Sequence, residues 1–291
     1  MSLPAIATKE KENIAITSVI AAVFLTSFKL VIGILTGSLG ILSEALHSAL
    51  DMVAAIITLY AVKHSDKPAD QEHQFGHGKI ENYSAFVETF LLVVTCVWII
   101  YEAVKRLITG RTEIEVTLWS FAVIIISIII DVTRSRALLK VAKKHDSQAL
   151  EADAIHFSTD VWSSSVVLIG LAGAAFHFYY ADPVAALVVA LIVLTVSYRL
   201  GKRSFNALVD RAPLGLNDEI SGIVSEISEV KKFHDIKVRE SGPYKFVELN
   251  IHVDKNMTID QAHSISHKVE EAITAKIKNV KVMVHEEPDG E

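Results

Sequence analysis

One cysteine is all that 291 residues provide. Cys96 sits inside an apolar run, so no disulfide can form within the chain and the fold must stand without that staple. An excess of positive charge is missing too: 28 Lys and Arg face 34 Asp and Glu, a formal charge of −6. That balance does not suit nucleic acid, and an acidic soluble portion favours cations. The opening residues, MSLPAIATKEKEN, lack a cleavable signal pattern, so the first apolar run is expected to remain in the chain. Internal repeats and low-complexity segments are absent.

Apolar residues are present in bulk. They make up 51% of the chain, with a mean hydropathy of +0.38. That is too apolar for an ordinary soluble protein and too charged for one embedded throughout. A division at Leu208 explains the mixture. Residues 1–208 hold 17 Lys/Arg and 18 Asp/Glu among long apolar stretches, while residues 209–291 hold 11 and 16 in globular proportions. Six stretches, about 14–36, 39–62, 80–108, 115–139, 148–178 and 182–201, approach the ~20 residues that cross a bilayer. They are expected to be helices, because open strand edges do not survive in lipid.

The second and fifth stretches are the least apolar, and each holds a histidine and an aspartate four residues apart: His47 with Asp51, and His156 with Asp160. At that spacing both side chains of a pair lie on one helix face. Ionisable groups inside a span are costly and point to an ion or proton path. Two imidazoles and two carboxylates form a tetrahedral nitrogen/oxygen set that suits zinc. With the amino terminus inside, the inner segments hold 13 Lys/Arg, Arg134 among them, against Lys105, Arg106 and Arg111 outside. Both termini are therefore expected in the cytoplasm. Asp51 then lies 12 residues from one end of its span and Asp160 12 residues from the opposite end of its own, each ~18 Å deep, so one shared midplane site is geometrically open to them. Glu44 and Asp153, each three residues before a histidine, are candidates for supporting acceptors. Lys29 is expected to snorkel. Asp131, His177, Trp119, Tyr179 and Tyr180 are expected at the interfaces.

Two further clusters stand outside the spans. Asp70, His73 and His77 fall in the loop KHSDKPADQEHQFGHGK with metal-ligand spacing, a solvated loop being the competing reading. The tail reads as a small α+β domain in the order αββαβ. Its parts are an amphipathic helix with Ile220, Ile223, Val224 and Ile227, strands at about 234–240 and 245–254 around a Ser-Gly-Pro turn, a helix opened by the capping box Thr258-Ile259-Asp260-Gln261, and a last strand. Its helices should pack on one side of the sheet. Five histidines, His234, His252, His263, His267 and His285, fall in this part, with Glu287 on the same face of the last strand as His285.

The six spans, the two His-x-x-x-Asp pairs, the loop FGHGKIE and the αββαβ tail resemble the cation diffusion facilitators over nearly the whole chain. The segment KFHDIKVRESGPYKFVELNIHV, followed by QAH and VHEEP, is similar to the bacterial zinc/iron efflux branch. The resemblance implies a six-helix transmembrane domain (1–208) and a cytoplasmic, ferredoxin- or metallochaperone-like metal-sensing and dimerisation domain (209–291). It implies a homodimer in the cell's inner or plasma membrane that exchanges cytosolic divalent metal for protons by alternating access. Zinc would be substrate and regulatory ligand, with no separate cofactor. The family's transport site falls on His47, Asp51, His156 and Asp160, its loop site on Asp70, His73 and His77, and its cytosolic site on His234, His263, His285 and Glu287. Its charge interlock falls on Lys79 and Asp210. The chain departs from the branch at two places. The branch commonly has aspartate where His47 stands, which favours zinc over iron. It often has histidine where Asn250 stands, with His252 two residues on along the same face.

Two other functions compete. An intramembrane zinc hydrolase would need a general base, and the chain has no His-Glu-x-x-His helix. A membrane-anchored metal sensor would leave the buried pairs without a purpose.

Overall fold

The computed structural model describes residues 3–37, 39–109, 118–175 and 181–290. The chain divides into two compact units, Met1–Ser204 and Phe205–Glu291. The outer-loop Arg111 and the expected interface residues His177, Tyr179 and Tyr180 lie outside the described residues.

Six long helices carry the first unit: α1 Leu3–Thr36, α2 Leu39–Ser65, α3 Lys79–Thr109, α4 Leu118–His145, α5 Gln148–Ala175 and α6 Ala181–Leu208, whose last turn enters the second unit. Among the described residues three stretches, Ile6–Thr36, Glu44–Ser65 and Lys79–Thr109, are long and apolar enough to cross a membrane. α4, α5 and α6 each border a segment outside the described residues. α1 and α2 form a tight antiparallel pair: a Cβ on Gly33 would come within 2.8 Å of the Leu42 side chain, so a larger residue would push Leu42 aside. α4 and α5 form a second pair, turned by Asp146 in the left-handed region at φ 51. Small residues dominate the shared core, with Ala15, Ala55, Ala61, Ala149 and Ala154 almost fully buried around Leu138, Leu150 and Phe157. This packing sets α5 against α2 and α3, and it positions the pairs.

The ends where α1 and α3 begin and α2 stops are tied by a buried charge cluster. Lys11 Nζ lies 2.7 Å from Asp66 and 3.0 Å from Glu81, and Glu81 is fully buried. Ser65 and Ser147 also donate to Glu81, at 3.1 and 2.5 Å.

The second unit contains α7 Leu216–Ser225, β1 Lys232–Ser241, β2 Tyr244–Val253, α8 Ile259–Lys276 and β3 Val280–Pro288, in the expected αββαβ order. The sheet runs β1-β2-β3, with β1 antiparallel and β3 parallel to β2. Gly242, at φ 58, makes the two-residue connection of the hairpin. Thr258 and Gln261 make both hydrogen bonds of the capping box, at 3.3 and 2.9 Å. Val247, Leu249, Ile251 and Val253 alternate into a core closed by Ile220, Val224, Val269 and Ile273 from the two helices.

Candidate metal centres

α2 and α5 bring all four pair residues to one point. His156 Nε2 lies 3.0 Å from Asp51 Oδ1 and 3.9 Å from Asp160 Oδ2. His47 Nε2 lies 3.6 Å from Asp160 Oδ1 and 3.8 Å from Asp51 Oδ1. Ligand atoms of His47, Asp51 and Asp160 all fall within 4.8 Å of one another. Residues more than 100 positions apart thus meet, since His156 and Asp51 are separated by 105 residues. The Asp51, His156 and Asp160 side chains are largely buried, while His47 keeps 40% of its side-chain surface open. A larger cavity, about 290 Å³, adjoins His47 and Asp160 and runs between α3 and α6 past Thr95, Trp98 and Val189.

Several expectations about nearby charges need correction. Lys29 does not snorkel: it is 5% exposed, and its ammonium is held by acceptors on α2, donating to Ser48 at 2.8 Å and to Glu44 at 3.2 Å. Asp131 is not interfacial: it is 6% exposed and lines the same small cavity as His47, Asp51 and Asp160. Arg134, counted from sequence among the inner-segment charges, is buried over the Phe157 ring, 3.3 Å from its centre. Asp153 is fully buried and accepts from Ser18 at 2.9 Å, and Glu44 is half exposed. Sequence reasoning passed over Glu88, fully buried on α3 and bonded to Thr58 and Ser84. Its place inside the run FVETFLLVV was the available signal.

The loop trio also comes together. Asp70 Oδ2 lies 3.3 Å from His77 Nε2, and its Oδ1 lies 3.5 Å from His73 Nδ1. The His73 and Glu72 backbone N–H groups donate to Asp70 Oδ1 at 2.6 and 3.0 Å. These bonds, that of His73 foremost, hold its carboxyl below the usual carboxylate range. Gly76, at φ 81, takes the left-handed turn that folds the loop back, so the His73 and His77 rings lie 4.4 Å apart, tilted by 41°.

On the tail, a β-bulge decides the cluster. β1 pairs His234 with Asn250 but Lys237 with Glu248, so one extra residue stands between, with Asp235 at φ 53. Without it His234 would pair with Ile251 and point into the core; the bulge turns it to the open face. There β3 places His285 beside Asn250 and Glu287 beside His252. Glu287 Oε2 lies 3.3 Å from His252 Nε2 and 3.7 Å from His234 Nε2, while His285 Nε2 is 3.9 Å from Glu287 Oε1. Asn250 donates to Glu287 at 2.9 Å. His234, His252 and Glu287 form a ligand-competent trio; among the described residues no such group includes His263, whose ring packs at 4.4 Å against His267 on α8. His252, an alternative member of the tail set, thus faces Glu287 directly, while His263 lines a neighbouring pocket with Glu286 and Glu287. Lys79 opens α3, and Asp210 takes a left-handed backbone at φ 56 in the other unit.

Comparison with known proteins agrees over nearly the whole length. The family model of the cation efflux transmembrane domain matches residues 15–209, and that of the cation efflux protein cytoplasmic domain matches residues 215–289. The cation-efflux pump FieF of Salmonella paratyphi A is 32% identical over 276 residues, 92% of this chain and 91% of the relative. The FieF pump of Cronobacter sakazakii is 30% identical over 275 residues, 94% of this chain and 91% of the relative. The metal-bound C-terminal domain of the CzcD transporter from Thermotoga maritima is 26% identical, covering 27% of this chain and 92% of that one, with a TM-score of 0.26. This chain is an integral membrane protein of the cation diffusion facilitator family, a cation-efflux transporter and not an enzyme.

Proposed function

We propose that this transporter carries zinc out of the cytosol in exchange for protons, by alternating access, with His47, Asp51, His156 and Asp160 as the transport ligands. The observation that carries the reading is the convergence of two imidazoles and two carboxylates from α2 and α5. Nitrogen and carboxylate oxygen in fourfold arrangement match the coordination zinc prefers. Metal and protons compete for the same lone pairs, so loading one favours loss of the other. In this reading six helices span the inner or plasma membrane with both termini cytosolic. The loop trio Asp70, His73 and His77 and the tail set His234, His252, His285 and Glu287, joined by His263 after a rearrangement of α8, hold metal on the cytosolic side. The tail domain joins two copies into a homodimer, and metal there biases how the copies approach one another. The charge interlock of the family falls on Lys79 and Asp210 in this reading.

The test is zinc uptake into proteoliposomes with an internal pH indicator. Wild-type protein is expected to move zinc and protons in opposite directions. Asp160→Ala is expected to lose both fluxes. Full zinc uptake by Asp160→Ala would sink the site assignment, and zinc uptake without proton counterflow would sink the exchange.

A further inference from the structure

A cavity of about 40 Å³ opens beside the four clustered side chains, and its wall includes Lys29, Glu44, Asp51, Asp131, Arg134 and Asp160. Four carboxylates thus face two cations, leaving a formal deficit of two positive charges while the imidazoles are neutral. One divalent ion fills that deficit. The two cations are held differently. Lys29 is matched to Glu44 at 3.2 Å. Arg134 forms no ion pair among the described residues: its Nε donates to the Ser18 hydroxyl at 2.7 Å, its plane rests on Phe157, and its Nη2 is buried without a hydrogen-bond partner. It nonetheless lies in the field of Asp51, Asp131, Asp153 and Asp160. A guanidinium cannot shed its proton, so its charge is permanent.

We propose that Arg134 is a positioning residue that acts as a fixed countercharge, setting how tightly the cavity holds its divalent ion. It cancels one carboxylate's worth of attraction without touching the metal, which loosens the ion enough to leave at each cycle. Ser18 and Phe157 hold it back from the ligand carboxylates, which would otherwise pair with it and close the site. The inference rests on the cavity being the transport site.

The experiment measures KM and Vmax for zinc uptake by proteoliposomes of the full chain. Arg134→Gln is expected to lower KM on the order of tenfold, as expected for removing a like charge near a divalent ion in a partly dry cavity, and to lower Vmax because release slows. A merely structural role would reduce Vmax without tightening KM. Arg134→Lys restores KM. Asp131→Asn, the opposite charge change in the same wall, raises KM. Lys143→Gln, exposed on the same helix, changes neither value. An unmoved or raised KM in Arg134→Gln overturns the inference, and so does an unmoved KM in Asp131→Asn, which decides the matter alone if Arg134→Gln does not fold. Asp51→Ala separates the two readings. Full uptake by that variant removes the transport site itself, whereas lost uptake there with an unmoved KM in Arg134→Gln removes only the countercharge.

Discussion

In the helical unit the buried residues include Lys11, Lys29, Asp51, Glu81, Glu88, Asp131, Arg134 and Asp153, whereas the described tail buries only Ser241 and Ser266 among its polar residues. The tail instead sets His234, His252 and His285 on the open face of a sheet whose other face packs apolar side chains into the core. A domain built for stability keeps charge outside, because an unpaired buried charge costs several kcal/mol. The helical unit accepts that cost many times over and offsets it with partners: Lys11 with Asp66 and Glu81, Lys29 with Glu44, Asp153 with Ser18.

The contrast can be broken from either side. The largest effect is expected from Lys11→Met. It leaves Glu81 buried beside only Ser65 and Ser147, and breaking a buried pair costs about 3–5 kcal/mol. Thermal unfolding of the purified protein measures it, and a loss below about 1 kcal/mol would show that the cluster is hydrated rather than buried. In the tail the comparable change is apolar. Ile251→Ala is expected to cost about 2–5 kcal/mol, read as a shift in denaturant midpoint of the tail transition with the helical unit unaffected.

Smaller effects sharpen the difference between the sites. In full-length protein lacking the transport ligands, His252→Ala is expected to weaken tail zinc binding more than His263→Ala, since only His252 already faces Glu287 at 3.3 Å. Equal losses by calorimetry would mean that His263, once α8 has rearranged, contributes as much to metal binding as His252. The smallest effect is at the tail surface. The Lys268 ammonium and the Ser228 hydroxyl hold the Glu229 carboxyl at about 2 rather than its ordinary 4.5. A depressed carboxylate stabilises the fold above the unfolded value, and that contribution is lost as pH falls through 4.5 toward 2. Glu229→Gln should therefore flatten the acid side of the tail's stability profile slightly; an unchanged profile would mean that solvent screens the pair completely.

Much of the fold was legible because its signals are local. The i, i+4 spacing of His47 with Asp51 and of His156 with Asp160 put each pair on one helix face, and the alternation from Val247 to Val253 gave the buried face of β2. The capping box at Thr258 marked the start of α8. Depth counting even allowed the two pairs to meet. The burial of Arg134 had no local signal, because its sequence neighbours Arg136 and Lys140 are charged; the approach of Ser18 and Phe157 from α1 and α5 covers it. Lys11 and Glu81 have no local signal at all, since each reads as an ordinary helix-end charge until the other arrives.

The sequence by itself determined the two-part division, the αββαβ order and the four side chains able to share one metal, since composition and periodicity act within a few residues of each position. Tertiary structure alone decided that the pairs converge within 4 Å, that Lys29, Asp131 and Arg134 line the cavity beside them, and that a single extra residue in β1 turns His234 toward Glu287. Those outcomes depend on which helix faces and strand registers meet, and such meetings between distant segments are set by packing.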